Sequence, residues 1–167
     1  MKLFFLRHGI AEDQSPTGRD ADRRLTTEGI AEMEAVAAGM AAMGLWFDSI
    51  RSSPRVRAKH TAEIAAAALG QSAQLSLEPA LSHGCGLAEL RELLAGVDNK
   101  ARVLLVGHQP DLSLNIGALI GGGRVQMKKA ALACVEVSRL EPGGGELRWL
   151  VPAEYLSMIG TASNKNV

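Results

Sequence analysis

The apolar residues of this chain occur largely in short continuous runs, and two of these runs are followed by similar polar residues. Residues 3–6 lead directly into Arg7 and His8, and residues 103–106 lead into His108 after a single glycine. A continuous apolar run of this length is typical of a strand that is buried on both faces of a parallel sheet. The two runs therefore predict two buried strands, each of which delivers a histidine to its carboxyl end.

The segments between these strands have the spacing of helices or of short strands. Helices are predicted over residues 30–43, 54–69, 87–94 and 111–120, and short strands over residues 48–53 and 74–77. Thr26 or Thr27 can cap the first helix, and Gly44 can end it. Ser53 is predicted as the N-cap of the second helix, with Pro54 at its first helical position.

A hairpin and a polar segment follow the last of these helices. Residues 131–137 and 146–151 are apolar and alternating around a glycine-rich turn, which predicts two antiparallel strands. The alternation of strands and helices before them predicts a mostly parallel sheet with helices on both faces. We therefore expect an α/β fold of three layers, α/β/α, with a mostly parallel central sheet to which the C-terminal hairpin contributes an antiparallel strand. Residues 1–160 are expected to form a single domain, followed by a polar tail over residues 161–167.

Composition and charge narrow the classes of function without identifying one. The chain has 167 residues, with 18 Lys plus Arg and 18 Asp plus Glu, so its formal net charge is zero. A neutral chain gives no reason to expect nucleic acid or an acidic membrane as a partner, and no apolar run is long enough to span a bilayer. The two cysteines form no CxxC motif and the first apolar run is too short for a signal peptide, so we expect a cytoplasmic protein.

Candidate site residues lie at the ends of three predicted strands. Because the carboxyl ends of parallel strands meet at one edge of a sheet, Arg7, His8, Arg57 and His108 are expected to share one cleft. Two arginines and two histidines with no acidic partner between them form an anion site that suits phosphate. No cluster of His, Cys, Asp and Glu has the spacing of metal ligands, so neither a metal nor another cofactor is predicted.

Further charged residues surround this cluster. Arg55 and Arg57 lie in the first turn of the second predicted helix, where positive charge opposes the helix dipole, so a bound anion is expected to compensate. About 200° separates two residues at this spacing around a helix, so only Arg57 is expected to point into the cleft. The charged segment 19–24 is interpreted as a solvated loop, and the sequence leaves open whether it lines the site.

Four motifs connect these residues to a known family. They are Leu6-Arg7-His8-Gly9, then Arg24-Leu25-Thr26 with Gly29, then Ser53-Pro54-Arg55-Val56-Arg57-Ala58 with Thr61, and Val106-Gly107-His108-Gln109-Pro110. In this order and spacing they resemble the histidine phosphatase superfamily, which is phosphoglycerate-mutase-like, from residue 3 to about residue 113. The small size and the short segment between residues 69 and 102 resemble the SixA-type phosphohistidine phosphatase branch.

The resemblance implies a role for each of the four site residues. It implies that His8 is the nucleophile and forms a covalent phosphohistidine intermediate, and that Arg7 and Arg57 bind phosphate. It implies that His108 binds phosphate and stabilises the transition state, and that neither a cofactor nor a metal is needed. A nucleophilic imidazole must be unprotonated, and two nearby arginines lower the pKa of His8 from its ordinary value of about 6.5.

One part of the family pattern is missing from this chain. Larger members of the mutase type carry an asparagine where this chain has Gln14, and a general-acid glutamate in the middle segment. Here the candidates in that segment are Glu78, His83 and Glu89, and none of them aligns as the acid. An alkoxide leaving group needs a proton donor, whereas the imidazole of phosphohistidine can be protonated on its second nitrogen and leave without one. The sequence therefore favours a phosphohistidine phosphatase whose partner is a phosphohistidine-bearing protein.

Two alternative functions stay open at this point. The chain could be a phosphomonoesterase for a small phosphorylated substrate, and His83 or Glu78 placed near His8 would support that reading. It could instead be a non-catalytic phosphoanion-binding module. The histidine at position 8 argues against a binding module, because binding alone needs only the arginines.

Overall fold

A six-stranded sheet forms the centre of the molecule, which a computed structural model describes over residues 1–163. The strands are β1 (Lys2–Arg7), β2 (Ser49–Ser52), β3 (Leu75–Leu77), β4 (Arg102–Gly107), β5 (Leu132–Val137) and β6 (Gly145–Val151). The helices are α1 (Thr27–Ala42), α2 (Val56–Ala68), α3 (Leu87–Leu93), α4 (Asp111–Leu119) and α5 (Ala153–Ser163). Within α1 the predicted cap is confirmed, because Thr26 Oγ1 accepts a hydrogen bond from the Gly29 amide at 2.9 Å.

The strands are arranged in the order β3-β2-β4-β1-β5-β6. The first four are mutually parallel, β5 is antiparallel to β1, and β6 is antiparallel to β5. This arrangement confirms the expected α/β fold with a mostly parallel sheet and an antiparallel C-terminal hairpin. Strands β1 and β4 are neighbours in a register that places Arg7 opposite Gly107. The residues that follow, His8 and His108, therefore leave adjacent strands at the same edge of the sheet.

Strand β1 is buried on both faces, as its continuous apolar run predicts. Phe4 and Leu6 belong to the apolar cluster under α1, α2 and α5, which includes Met33, Ala62 and Leu156. Leu3 and Phe5 point to the opposite face, into the cluster under α3 and α4. Each fully buried phenylalanine or leucine contributes roughly 1.5–3 kcal/mol relative to an exposed one. The strand that carries the candidate nucleophile is thus anchored in the most buried part of the molecule.

No pattern in the sequence predicts α5, which packs along α1. A Cβ atom added to Gly39 would lie 2.0 Å from the Leu156 carbonyl oxygen, and one added to Gly160 would lie 2.7 Å from the Gly39 amide nitrogen. The two helices can therefore approach each other only because both positions lack a side chain. Helix α5 includes residues 161–163 of the predicted polar tail, and residues 164–167 lie outside the described part of the chain.

The predicted start of α2 is wrong by two residues. The helix begins at Val56, and Arg55 has the extended backbone of an N-cap, with φ −62° and ψ 134°. Ser53 cannot enter the helix because its amide donates to the Val106 carbonyl oxygen at 3.0 Å and so prolongs the pairing of β2 with β4. The hydroxyl of Ser53 is consequently available to the candidate site. Between residues 1 and 163, no helix is long and apolar enough to cross a membrane.

Candidate active site

His8 lies directly after β1 and presents one ring nitrogen to a neighbouring arginine. Its ring is buried, and Nδ1 lies 2.8 Å from the Gly9 carbonyl oxygen. A carbonyl can only accept, so Nδ1 carries the ring proton and Nε2 keeps a free lone pair. Nε2 accepts a hydrogen bond from Arg57 Nε at 3.3 Å. The nitrogen that can act as a nucleophile therefore faces the arginine cluster.

The loop after His8 is held by two helices. The Gly9 amide donates to Thr61 Oγ1 of α2 at 3.1 Å, and the Thr26 amide at the start of α1 donates to the Ile10 carbonyl oxygen at 3.0 Å. A Cβ atom on Gly29 would lie 2.1 Å from that same carbonyl oxygen. Only glycine lets α1 lie against this loop, so the orientation of His8 depends on both helices.

The environment of His8 keeps its imidazole neutral. Burial is the main cause that lowers the pKa of His8 to about 4, and the charges of Arg57, Arg7 and Lys129 lower it further. The hydrogen bond to the Gly9 carbonyl acts in the opposite direction. The direction agrees with the expectation from the arginines, although desolvation contributes more than they do. At neutral pH the Nε2 lone pair is therefore available.

His108 follows β4 and lies beside His8, with 5.1 Å between the ring centroids. Burial lowers the pKa of His108 to about 2, and the charges of His8 and Arg57 add to the effect. Its Nε2 lies 2.9 Å from Ser53 Oγ, which also accepts the Arg55 amide hydrogen at 3.3 Å. When the Ser53 hydroxyl donates to Nε2, the ring hydrogen of His108 lies on Nδ1. Within residues 1–163 this buried nitrogen has no hydrogen-bond partner.

The charges of the two predicted phosphate-binding arginines both act on His8. The Arg57 side chain is 4% exposed and directs Nε at His8, while Nη1 and Nη2 contact Asp20. Arg7 donates from Nη1 to the Met127 carbonyl oxygen at 2.9 Å, and its buried Nε has no partner in the described chain. The structure thus brings together Arg7, His8, Arg57 and His108, as expected from the strand ends.

The expectation that this cluster lacks an acidic partner is wrong. Asp20, on the short 3₁₀ turn Asp20–Asp22, accepts hydrogen bonds on its carboxylate from Arg23, Arg55 and Arg57. Partial burial alone would raise the pKa of Asp20, but hydrogen bonds from Arg23 and Arg57, with the charges of Arg57 and Arg55, lower it to about 2. The anion that the arginines at the start of α2 were expected to need is therefore supplied, at least in part, by the chain itself.

Two related expectations need correction. The helical spacing predicts that Arg55 and Arg57 are well separated, yet both contact the same oxygen of Asp20, and Arg57 in addition contacts His8. The helical spacing does not apply, because Arg55 precedes α2 and has an extended backbone. The segment 19–24 is also not simply a solvated loop, since it reaches the site through Asp20. The sequence feature that points to Asp20 is the pair Arg55 and Arg57 at the start of α2, because two positive charges there require a nearby anion.

Comparison with known proteins identifies the family. The sequence model of the histidine phosphatase superfamily (branch 1) matches residues 3–83, which contain the first three motifs. An uncharacterized protein from Picosynechococcus sp. is 43% identical over 138 residues, which cover 79% of this chain and 82% of the relative. This chain belongs to the histidine phosphatase superfamily.

Solved structures of phosphatases share the fold of this chain. The protein histidine phosphatase SixA in complex with tungstate has a TM-score of 0.83 at 24% identity, covering 93% of this chain and 99% of that chain. A phosphoserine phosphatase variant from Entamoeba histolytica bound to phosphoserine has a TM-score of 0.70 at 17% identity, covering 93% of this chain and 98% of that chain. At these identities the similarity establishes the fold of this chain and not its substrate.

The three candidate general acids of this histidine phosphatase lie in different surroundings. Glu78 Oε1 accepts from the Ser76 hydroxyl at 2.9 Å, and Glu89 Oε2 accepts from the Gly86 amide at 2.9 Å at the start of α3. The exposed His83 instead has its ring centroid 5.3 Å from that of His108. His83 is therefore the candidate whose ring lies against the site.

The site as a whole offers one nucleophilic atom and several N–H donors. His8 Nε2 is unprotonated and faces Arg57 Nε, and the buried Arg7 Nε and His108 Nδ1 have no hydrogen-bond partner in the described chain. A phosphoryl group in transfer spreads charge over three equatorial oxygens, which three such donors can stabilise. Over residues 1–163, no group of three or more His, Cys, Asp or Glu side chains is arranged to hold a metal ion.

Proposed function

We propose that this histidine phosphatase removes phosphate from phosphohistidine through a covalent intermediate on His8. The observation that carries this proposal is the orientation of the His8 ring. Its Nδ1 proton is directed at the Gly9 carbonyl, so the lone pair of Nε2 faces the cationic cluster. An imidazole held in this way is a nucleophile rather than one more anion-binding cation.

The reaction takes place in two steps. In the first, the Nε2 lone pair of His8 forms a bond to phosphorus while the bond between phosphorus and the leaving nitrogen breaks, and the leaving imidazole takes the electron pair. In the second, a water oxygen bonds to phosphorus, the bond to Nε2 breaks, its electron pair returns to Nε2, and the water proton passes to phosphate or solvent. In both steps Arg7, Arg57 and His108 hold the equatorial oxygens.

Phosphohistidine is the preferred substrate class for a chemical reason. When its second ring nitrogen carries a proton, the imidazole departs as a neutral molecule and needs no separate acid. The carboxyl groups of Glu78 and Glu89 accept hydrogen bonds from the Ser76 hydroxyl and the Gly86 amide, and neither is hydrogen-bonded to a residue of the cationic cluster. The similarity of the whole chain to the protein histidine phosphatase SixA supports the same choice. The partner would then be a phosphohistidine-bearing protein.

Rapid quenching with labelled substrate tests the covalent step. We expect a label on His8 that is stable in base and lost in acid, and we expect His8→Ala to keep the fold while turnover disappears. Turnover in His8→Ala together with an unlabelled wild-type chain would contradict the nucleophile assignment. Specificity constants for phosphohistidine-bearing proteins and for small phosphate esters then test the substrate class.

A phosphomonoesterase is the second candidate, because His83 lies beside His108 and could protonate an alkoxide leaving group. In that case His83→Gln should slow an alkyl phosphate by about a hundredfold and leave p-nitrophenyl phosphate, a good leaving group, nearly unchanged. His60→Gln, on α2, is the matched control. Equal rates for both esters in His83→Gln and wild type would exclude this role. Phosphate binding without turnover of any substrate would favour a phosphoanion-binding module instead.

A further inference from the structure

The contacts of Asp20 divide the guanidinium of Arg57 into two parts. A guanidinium presents two edges that can each hold two acceptors, an end edge formed by Nη1 and Nη2 and a side edge formed by Nε and Nη2. Asp20 occupies the end edge, because Arg57 Nη1 donates to the Asp20 carbonyl oxygen at 2.7 Å and Nη2 donates to Oδ2 at 3.1 Å. The side edge points the other way, with Nε directed at His8 Nε2.

This arrangement makes Asp20 an orienting group and not a substitute for the substrate. A carboxylate that competed with phosphate would occupy the edge of Arg57 that faces His8. Asp20 does not contact that edge, and it fixes the rotation of the guanidinium by two contacts on the end edge. The second Nη2 hydrogen on the side edge lies parallel to the Nε hydrogen, so the two can hold two oxygens of one phosphoryl group.

Asp20 is itself held in place by two further arginines. Arg23 Nη1 contacts Oδ1 at 2.9 Å, and Arg55 contacts Oδ2 together with Arg57. Three guanidinium groups in one small volume repel each other, and the positive charges of Arg23 and Arg55 act against the charge of Arg57. A single carboxylate among them offsets this repulsion. It thereby allows Arg57 to stay buried and charged next to His8.

We propose that Asp20 is a positioning residue that acts through Arg57, holding its end edge so that its side edge faces the phosphoryl group on His8. This inference rests on the proposed role of Arg57 as a phosphate ligand. It gives a function to the charged segment 19–24, which the sequence leaves unexplained. Asp20 touches no reacting atom, so its removal should act only through the geometry and charge of Arg57.

A double-mutant cycle separates this role from a structural one. We would measure kcat with the best substrate of the panel and the affinity for inorganic phosphate by calorimetry in wild type, Asp20→Ala, Arg57→Ala and the double variant. Asp20→Ala should lower kcat by about tenfold to a hundredfold and weaken phosphate binding, because a charged hydrogen-bond partner is lost. In the Arg57→Ala background the same substitution should have almost no effect, since the residue it acts through is absent. Asp20→Glu should recover part of the activity.

Asp22→Ala is the matched control, because Asp22 lies in the same turn and contacts Thr17 and Arg19 rather than Arg57. It should behave like wild type, and thermal unfolding should show that each variant is folded. Tighter phosphate binding in Asp20→Ala would show that the Asp20 carboxylate competes with phosphate for Arg57. Equal losses of kcat on removing Asp20 from wild type and from Arg57→Ala would show that Asp20 acts independently of Arg57. Either result overturns the positioning role.

The cycle also distinguishes failure of this inference from failure of the proposed function. If Arg57→Ala binds phosphate and turns over substrate like wild type, the proposed phosphate site is wrong. If Arg57→Ala loses activity and phosphate binding while Asp20→Ala has the activity of Asp22→Ala, the proposed phosphate site is supported and only the positioning role of Asp20 is refuted.

Discussion

The low pKa of His8 makes the stability of the protein depend on pH. In the unfolded chain the pKa of His8 returns to about 6.5, whereas in the folded protein it is about 4. Between these values the unfolded state binds more protons than the folded state, so the free energy of unfolding falls as the pH falls from about 7 towards 4. The contribution of His8 is complete above the unfolded pKa and is lost progressively below it.

The expected size of this effect follows from the two pKa values. At pH 4.5 the unfolded histidine is almost fully protonated and the folded one is mostly neutral, which costs about 2.5 kcal/mol of stability relative to pH 8. His108 adds to the loss in the same direction, because burial and the neighbouring His8 lower its pKa as well. Substituting His8 by glutamine isolates its own share, since glutamine does not titrate.

Urea unfolding at pH 8 and pH 4.5 measures this difference. We expect wild type to lose about 2.5 kcal/mol more than His8→Gln between the two pH values, and His60→Gln to behave like wild type. Nitrogen NMR of the ring, assigned by its absence in His8→Gln, should give a titration midpoint near pH 4. A midpoint near 6.5, with the same pH dependence in wild type and His8→Gln, would refute the reasoning that burial keeps the nucleophile neutral.

Four further predictions test other parts of the structure. Arg57→Ala should lower kcat by about a hundredfold, or about 3 kcal/mol, and Arg57→Lys should recover little of the loss. A larger loss of activity in Arg55→Ala than in Arg57→Ala would contradict the assignment of Arg57 as the phosphate ligand. Arg55→Ala should cost about 1 kcal/mol or less in kcat/KM, an effect that shrinks at high salt because the side chain is partly exposed. Activity should survive exhaustive chelation, and a loss restored by Mg²⁺ or Zn²⁺ would indicate a different mechanism. Gly39→Ala should lower the free energy of unfolding by about 1–3 kcal/mol, because the new methyl group would clash with the Leu156 carbonyl oxygen. The control Ala41→Ser, at an exposed position of the same helix, should change the free energy of unfolding little.

The parts of the fold that the sequence predicts are those that depend on continuous burial. The run at residues 3–6 is apolar throughout because β1 contacts helices on both faces, and the neighbouring strand β4 shows the same pattern. The juxtaposition of His8 and His108 then follows from the parallel direction of the two strands. The local sequence pattern is sufficient to predict the two buried strands and the position of the two histidines, because each depends only on one strand and its neighbours.

The features that could not be predicted depend on contacts between distant segments. Helix α5 mixes the buried Leu156 with the exposed Tyr155 and Met158, which obscures its periodicity. The start of α2 is shifted because Ser53 pairs with β4, more than fifty residues away. In the sequence Asp20 has the pattern of a surface residue, whereas in the structure three arginines contact its carboxylate. Hydrogen bonds of this kind leave no periodic trace in the sequence.

The register of β1 and β4 fixes the positions from which the reacting side chains project, independently of the surface residues that surround a substrate. The strand ends that lead into His8 and His108 are held by hydrogen bonds between two central strands, with Arg7 opposite Gly107. The exposed His83, by contrast, belongs to the segment 82–86, and its ring lies beside that of His108. A change at this position can therefore alter the surroundings of a substrate without altering the pairing of the strands that carry the reacting atoms. A fold built in this way can acquire new substrates by small surface changes while its chemistry stays the same.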